Sequence, residues 1–176
     1  MTTRLQLIGG GRMGEALLGG LLSAGWAEAA DLAVVEKVEG RRKELVDRFP
    51  GVHVVDTPVE AEGVVVAVKP GDVADACRAV AASGVQRVLS IAAGVTIGDL
   101  EAAVGSDVPV VRAMPNTPAL IGTGAAAIAA GSAATDDDLE WAEGILAAVG
   151  TVVRVPEALL DAVTGLSGSG PAYVFL

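Results

Sequence analysis

The sequence predicts an α/β fold, a doubly wound and mainly parallel sheet with helices on both faces. Short apolar runs alternate with helical patterns along nearly the whole chain, which is how such sheets are written. The first run, Leu5-Gln6-Leu7-Ile8, stops at a glycine cluster, and a helical pattern begins directly behind it. Finally, 176 residues, 52% of them hydrophobic, suit one domain with a sizeable core. Only 3% are aromatic, so that core should consist of closely packed small side chains rather than large ring anchors.

The glycine cluster organises the rest. Gly9, Gly11 and Gly14 fit the spacing G-x-G-x-x-G. In that pattern one glycine makes a tight turn, one admits a pyrophosphate, and one lets helix and strand pack closely. The helix behind the turn points its first free N–H groups at the anion. A plain strand-to-helix turn is the rival reading. Position after a strand, before a helix and near the N-terminus favours a dinucleotide site.

Residues 13–24 carry Ala16, Leu17, Leu18, Leu21 and Leu22 at helical spacing, with Gly25 placed to cap the end. Gly19 and Gly20 interrupt this helix, which points to a close approach to the sheet. Residues 32–35 form a second buried-type strand ending at Glu36, followed by a polar helix through Arg41, Arg42, Leu45, Val46 and Phe49. An acid at this distance from the glycines usually bonds the adenine ribose 2′-hydroxyl, the mark of NADH. Lys37, Arg41 and Arg42 stand beside it, however, and suit the 2′-phosphate of NADPH; a solvated helix start is the third reading. Residues 52–55 make a brief strand.

Residues 63–68 form a fully apolar strand ending at Lys69-Pro70. Proline pushes the residue before it out of helical geometry. Lys69 is therefore expected at a strand's carboxyl end, as a ligand contact in the crevice or as a solvated turn lysine. A helix over residues 72–82 carries Cys77, the only cysteine, read as a small core residue. A strand at 87–91 and a helix capped by Thr96 follow. The strand at 108–113 ends at Met114-Pro115-Asn116-Thr117-Pro118, a stiff loop whose Asn116 and Thr117 are candidates for holding a nicotinamide, with a structural turn as the rival. A strand at 124–130, a helix at 136–148 with acids at its N-terminus, and a strand at 151–155 complete the pattern. Pro156 then opens a short helix.

The formal net charge of −10 argues against nucleic acid or an anionic membrane as partner. No apolar run approaches the ~18 residues of a membrane helix. A lone cysteine rules out an intrachain disulfide, and with no charged and apolar leader expected, a cytoplasmic protein is the default. His53, the sole histidine, has no Cys, Asp or Glu at ligand spacing, so a metal site is not expected. The tail, Leu166-Ser167-Gly168-Ser169-Gly170-Pro171-Ala172-Tyr173-Val174-Phe175-Leu176, reads as a flexible hinge and a helix start. So apolar an end suggests a fragment cut near a domain boundary, with a short helix folding back as the rival.

Four segments jointly resemble the family of Δ1-pyrroline-5-carboxylate reductases, which catalyse the last step of proline synthesis. They are Ile8-Gly9-Gly10-Gly11-Arg12-Met13-Gly14-Glu15-Ala16, Ala67-Val68-Lys69-Pro70, Val111-Arg112-Ala113-Met114-Pro115-Asn116-Thr117-Pro118 and Ser167-Gly168-Ser169-Gly170-Pro171-Ala172-Tyr173. The resemblance implies a Rossmann-type domain over residues 1–165 that binds NADPH, less often NADH. Residues 166–176 would begin a helical domain that dimerises and completes the substrate site, giving a homo-oligomer built on a dimer. It further implies that the turn, with Arg12 and Met13, holds the pyrophosphate. Ala67, Val68, Lys69 and Pro70 would line the cofactor groove, and Asn116 would lie near the nicotinamide ribose. The substrate would be 1-pyrroline-5-carboxylate, a small molecule whose protonated imine accepts a hydride, so that the protein supplies chiefly alignment and charge complementarity. Its catalytic residues are not assigned. A nucleotide-binding module with no reaction of its own, and a related imine or β-hydroxyacid reductase, are the competing expectations.

Overall fold

The computed structural model describes residues 3–174. Eight strands form one sheet: β1 (Thr3–Ile8), β2 (Leu32–Val35), β3 (His53–Val55), β4 (Ala61–Val66), β5 (Val88–Ser90), β6 (Val110–Met114), β7 (Gly124–Ala130) and β8 (Gly150–Arg154). Their order across the sheet is β3-β2-β1-β4-β5-β6-β7-β8. The first six are parallel; β7 is antiparallel to β6, and β8 parallel to β7. Only residues 115–123 separate β6 from β7, whereas a parallel crossover takes a dozen or more. That short link forces the reversal.

The helices α1 (Arg12–Ser23), α2 (Glu39–Arg48), α3 (Val73–Ala82), α4 (Ile97–Val104) and α5 (Asp136–Ala147) cover both faces. Strand residues alternate between two cores, as a twofold side-chain period requires. Leu5, Leu7, Val65, Leu89 and Val111 pack with Leu17, Leu21, Leu45 and Ile145 of α1, α2 and α5. Ile8, Val64, Val66, Val88 and Val110 pack with Val73, Cys77, Val80 and Leu100 of α3 and α4. Cys77 is fully buried in this second core, and burial pushes its thiol up to about 11. Two tryptophans edge the first core, so rings do contribute. Trp141 lies so close to Gly63 that a Cβ there would stand 2.4 Å from its Cζ2.

Several polar residues join elements where the apolar pattern gives no hint of it. Gln6, fully buried on β1, donates from Nε2 to Val59 O at 2.6 Å and accepts from Val59 N–H at 3.1 Å, pinning the entry to β4. Buried Arg112 on β6 donates to Glu157 at 2.9 Å and pairs with Asp161 at 3.4 Å; Glu157 also accepts the Ile97 N–H at 2.7 Å. Thr96 and Asp99 form the expected cap of α4 as a reciprocal box. Thr135 and Asp138 do the same for α5, so one of the acids there makes a specific bond besides complementing the dipole.

Local boundaries differ from expectation in three places. The strand expected over 63–68 runs Ala61–Val66, because Ala61 already pairs with Thr3, and Ala67 to Lys69 peel away beyond the sheet. Gly20 meets the α5–β8 turn rather than the sheet, with a Cβ there only 2.4 Å from Val149 Cγ1. The segment expected as a hinge is helical: α6 (Leu160–Val163), a wide turn at Thr164–Gly168, and α7 (Gly170–Val174). Its hydroxyls bond backward to the helix, Thr164 to Leu160 O at 2.9 Å and Ser167 to Val163 O at 3.1 Å, which satisfies a weak helix former in place. Of the apolar tail residues, Tyr173 is exposed, while Phe175, Leu176 and the side chains of Ala172 and Val174 lie outside the described residues.

Candidate dinucleotide cleft

The carboxyl ends of β1, β2 and β4 lie side by side, tied just beyond the strands by Gly9 N–H to Val35 O at 2.9 Å and Ala67 N–H to Ile8 O at 2.8 Å. After β1, Gly9 adopts φ +108°, a conformation that L side chains rarely reach, and a Cβ there would stand 2.7 Å from Ala67 O. Gly14 sits on the other side of the turn, where a Cβ would come 2.2 Å from Gly9 O. These two glycines let α1 start directly against the strand. Gly11 differs: its backbone is ordinary, φ −69° and ψ −177°, and a Cβ there would meet nothing within 4 Å. Its missing side chain leaves open space in front of the helix N-terminus. The N–H groups of Gly11, Arg12 and Met13 have no hydrogen-bond partner among the described residues. Free amides, a helix dipole and open space together form an anion cradle.

A cleft of about 410 Å³ opens beside that cradle. Seven of the predicted residues line it: Gly9, Gly11, Glu36, Lys37, Ala67, Val68 and Lys69. Six do not. Arg12 and Met13 flank the cradle through their backbone, and Gly14 is buried behind it. Pro70 opens a 3-10 turn over Pro70–Asp72 and faces a different hollow, against α3 and α4. Asn116 follows β6, a strand that lies two places further along the sheet and about 10 Å from β4 at ordinary strand spacing. Its Oδ1 accepts the Ala125 N–H at 2.9 Å, which ties the loop before β7.

The predicted charge group divides by what each member touches. Glu36 accepts the Gly10 N–H at 3.1 Å through Oε2 and the Val38 N–H at 2.9 Å through Oε1. Arg41 donates from Nε to Gly10 O at 2.8 Å, and its other nitrogens pair with Glu15 and with Glu44. Those carboxylates, Glu44 foremost, hold its guanidinium above the ordinary arginine value, and it does not line the cleft. Arg42 donates to the carbonyls of Glu36 and Lys37 at 2.9 and 2.8 Å. Lys37, Arg42 and Lys69 have no carboxylate partner among the described residues.

Sequence reasoning missed Val38, Asp56, Pro58, Asp72, Asp75 and Ala76, all of which line the same cleft. The signal for Asp56 and Pro58 was present: they follow β3 as Lys69-Pro70 follow β4. The α3 residues enter only because the helix packs under the mouth. A larger hollow of about 580 Å³ lies elsewhere, between α1, the end of α2 and the β7 entry. Its lining includes Gly19, Ser23, Phe49 and Ala148, so it follows helix flanks rather than strand ends. Ligands of open α/β sheets bind at the strand ends, and it is the smaller cleft that joins those ends to Gly9 and Gly11, whereas the larger hollow reaches the turn at Arg12 alone of the three free amides.

Comparisons with known proteins agree with this geometry. Residues 4–94, which contain the cradle and most of the cleft, match the family described as NADP oxidoreductase coenzyme F420-dependent. The chain is 45% identical over 183 residues to the pyrroline-5-carboxylate reductase of Mycobacterium tuberculosis, covering 98% of this chain and 62% of that one. It is 43% identical to that of Synechocystis, covering 100% of this chain and 67% of the relative. A pyrroline-5-carboxylate reductase structure from Coxiella burnetii superposes with a TM-score of 0.91 at 33% identity, over 99% of this chain and 67% of that one. That from Plasmodium falciparum, with NADP bound, gives 0.84 at 26% identity, over 98% of this chain and 65% of that one. The chain thus spans about two thirds or less of the length of the relatives it matches.

Proposed function

Because the chain belongs to the pyrroline-5-carboxylate reductase family, we propose that it forms the dinucleotide-binding part of an enzyme that reduces 1-pyrroline-5-carboxylate to L-proline with NADPH. The observation that carries the reading is the set of free amides at Gly11, Arg12 and Met13, set before open space at the mouth of a cleft. The bound cofactor supplies the hydride. The chain's own groups bind and orient the cofactor.

The three amides and the positive end of α1 hold the pyrophosphate, with no side-chain charge required. The cleft between β2 and β4 takes the adenosine half. Lys37 lines the cleft and has no carboxylate partner among the described residues, so it receives a 2′-phosphate, with Arg42, held on the Glu36 and Lys37 carbonyls, behind it. Lys69 stands at the end of β4, on the way to the nicotinamide. The strand order β1-β4-β5-β6 then leads to Asn116, where a nicotinamide ribose would lie if the dinucleotide extends along the strand ends. The substrate imine, protonated at nitrogen, is electrophilic without further activation, so its correct placement accounts for most of what the protein must provide. We assign the chain to a soluble cytoplasmic enzyme that assembles with a second copy of itself. Among the described residues no helix is long and apolar enough to cross a membrane.

A titration of nicotinamide fluorescence with NADPH, and in parallel with NADH, tests the reading. Saturable binding with NADPH preferred is the expected result; a folded chain that binds neither would reject it.

A further inference from the structure

One residue of the turn is held at both of its polar groups by opposite charges. Gly10 donates its N–H to the carboxylate of Glu36, and its carbonyl oxygen accepts from Nε–H of Arg41. Both side chains come from the same stretch, the end of β2 and the first turn of α2, yet they grip a residue 26 and 31 positions earlier. Arg41 is itself fixed from two further sides, by Glu15 on α1 and Glu44 on α2, and Arg48 also reaches Glu15. Gly10 is buried, and a Cβ there would stand 2.4 Å from Leu45 Cδ1, so α2 presses on the turn as well as bonding to it.

On the reading that the cleft binds a nicotinamide dinucleotide, we propose that Glu36 and Arg41 form a clamp that presets the glycine turn, and that Arg41 is a positioning residue rather than a ligand of the 2′-phosphate. With its N–H and carbonyl both taken, the Gly10 peptide groups cannot rotate toward the pyrophosphate or away from it. The free amides are left at Gly11, Arg12 and Met13, all aimed by a turn whose orientation does not depend on ligand. A guanidinium with three of its five N–H donors engaged by Gly10, Glu15 and Glu44, and its charge met by two carboxylates, is held for the turn rather than for a phosphate. Planar Arg41 can span a carbonyl and two carboxylates at once, which a lysine ammonium on a flexible stem cannot do with the same geometry.

The two roles separate in one comparison. A positioning role acts on the pyrophosphate, which NADPH and NADH share; a phosphate ligand acts on NADPH alone. In Arg41→Met, the dissociation constants for both cofactors should rise together, by about tenfold, the usual consequence of losing a hydrogen bond to a charged group, and their ratio should hold within about twofold. Arg41→Lys should fall between wild type and Met. In the cofactor-free protein, exchange of the hydrogen-bonded amides of Gly9 and Gly10 should accelerate in Arg41→Met and in Glu36→Gln, while exchange in β4 and β5 stays as it is. Weakening of NADPH alone, or no change with either cofactor, would overturn the clamp, as would unaltered exchange in the turn. Should Arg41→Met fail to fold, Arg41→Lys carries the same comparison. A wild-type chain that binds neither cofactor yet shows exchange that depends on Arg41 would reject the proposed function and leave the clamp standing.

Discussion

Gly11→Ala separates binding from folding more cleanly than any other substitution in the turn. A methyl at this position meets no protein atom within 4 Å, and φ −69°, ψ −177° is an extended backbone open to any residue. Gly11 is the cap residue of α1, where alanine is poorer than glycine by up to about 1 kcal/mol. Against that, alanine narrows the unfolded ensemble by about 0.4–1 kcal/mol. The two nearly cancel, so the midpoint of thermal unfolding should move by no more than about 4 °C in a domain of this size. Binding should suffer far more. The methyl enters the space before the free amides, and a pyrophosphate displaced from them forfeits hydrogen bonds to a charged group that contribute about 1.5–3 kcal/mol each. One such bond corresponds to at least about tenfold in dissociation constant. Gly14→Ala is the contrasting case, since its Cβ would lie 2.2 Å from Gly9 O and must push α1 off the strand. That overpacking costs about 1–3 kcal/mol, so both unfolding temperature and affinity should drop. The assays are thermal unfolding and a fluorescence titration with NADPH. A folded Gly11→Ala chain that binds NADPH like wild type would refute the cradle.

Three further outcomes are expected. Lys37→Ala should weaken NADPH by about three- to tenfold and leave NADH within twofold in parallel titrations, as loss of one partly exposed charge contact would. Gly63→Ala forces Cβ against the Trp141 ring and should destabilise by about 1–3 kcal/mol in a urea melt, with a change in tryptophan emission. Acid should destabilise the fold: Thr96 holds Asp99, and Arg154 holds Glu143, below the ordinary carboxylate range. Folded pKa values lower than unfolded ones mean that this stability is present above the ordinary carboxylate values and is lost as pH falls through the folded ones. Urea midpoints should therefore decline below about pH 4.5, less steeply in an Asp99→Asn, Glu143→Gln double variant.

The parallel half of the sheet was legible because its signals are local. Residues 32–35 and 64–66 are continuous apolar runs, and 5–8 and 110–113 are interrupted only by Gln6 and Arg112, as strands buried on both faces read. The strand at 124–130 was read at its observed bounds but its reversed direction was not, although the nine residues of its link to β6 carry that information in their number rather than their type. In the cleft, glycines and strand-end residues were found since both follow from turn chemistry. Charge was the weaker guide. Lys37, Arg41 and Arg42 are nearly equivalent as text, and only three-dimensional neighbours distinguish them: Arg41 faces Glu15 and Gly10 across the turn, while Lys37 has no such partner. The same holds for the tail, where Ser167 and Gly168 suggest a hinge until the backward hydroxyl bonds of Thr164 and Ser167 are seen.

The central claim is a place as much as an affinity: that the dinucleotide lies across the strand ends at the glycine turn. Amide hydrogen exchange of the chain with and without saturating NADPH tests it most directly. The account predicts slowed exchange at residues 10–14, 36–38 and 67–69, with none at residues 19–23 or 148–149. Protection confined to those latter segments, which border the larger hollow between the helices, would contradict it.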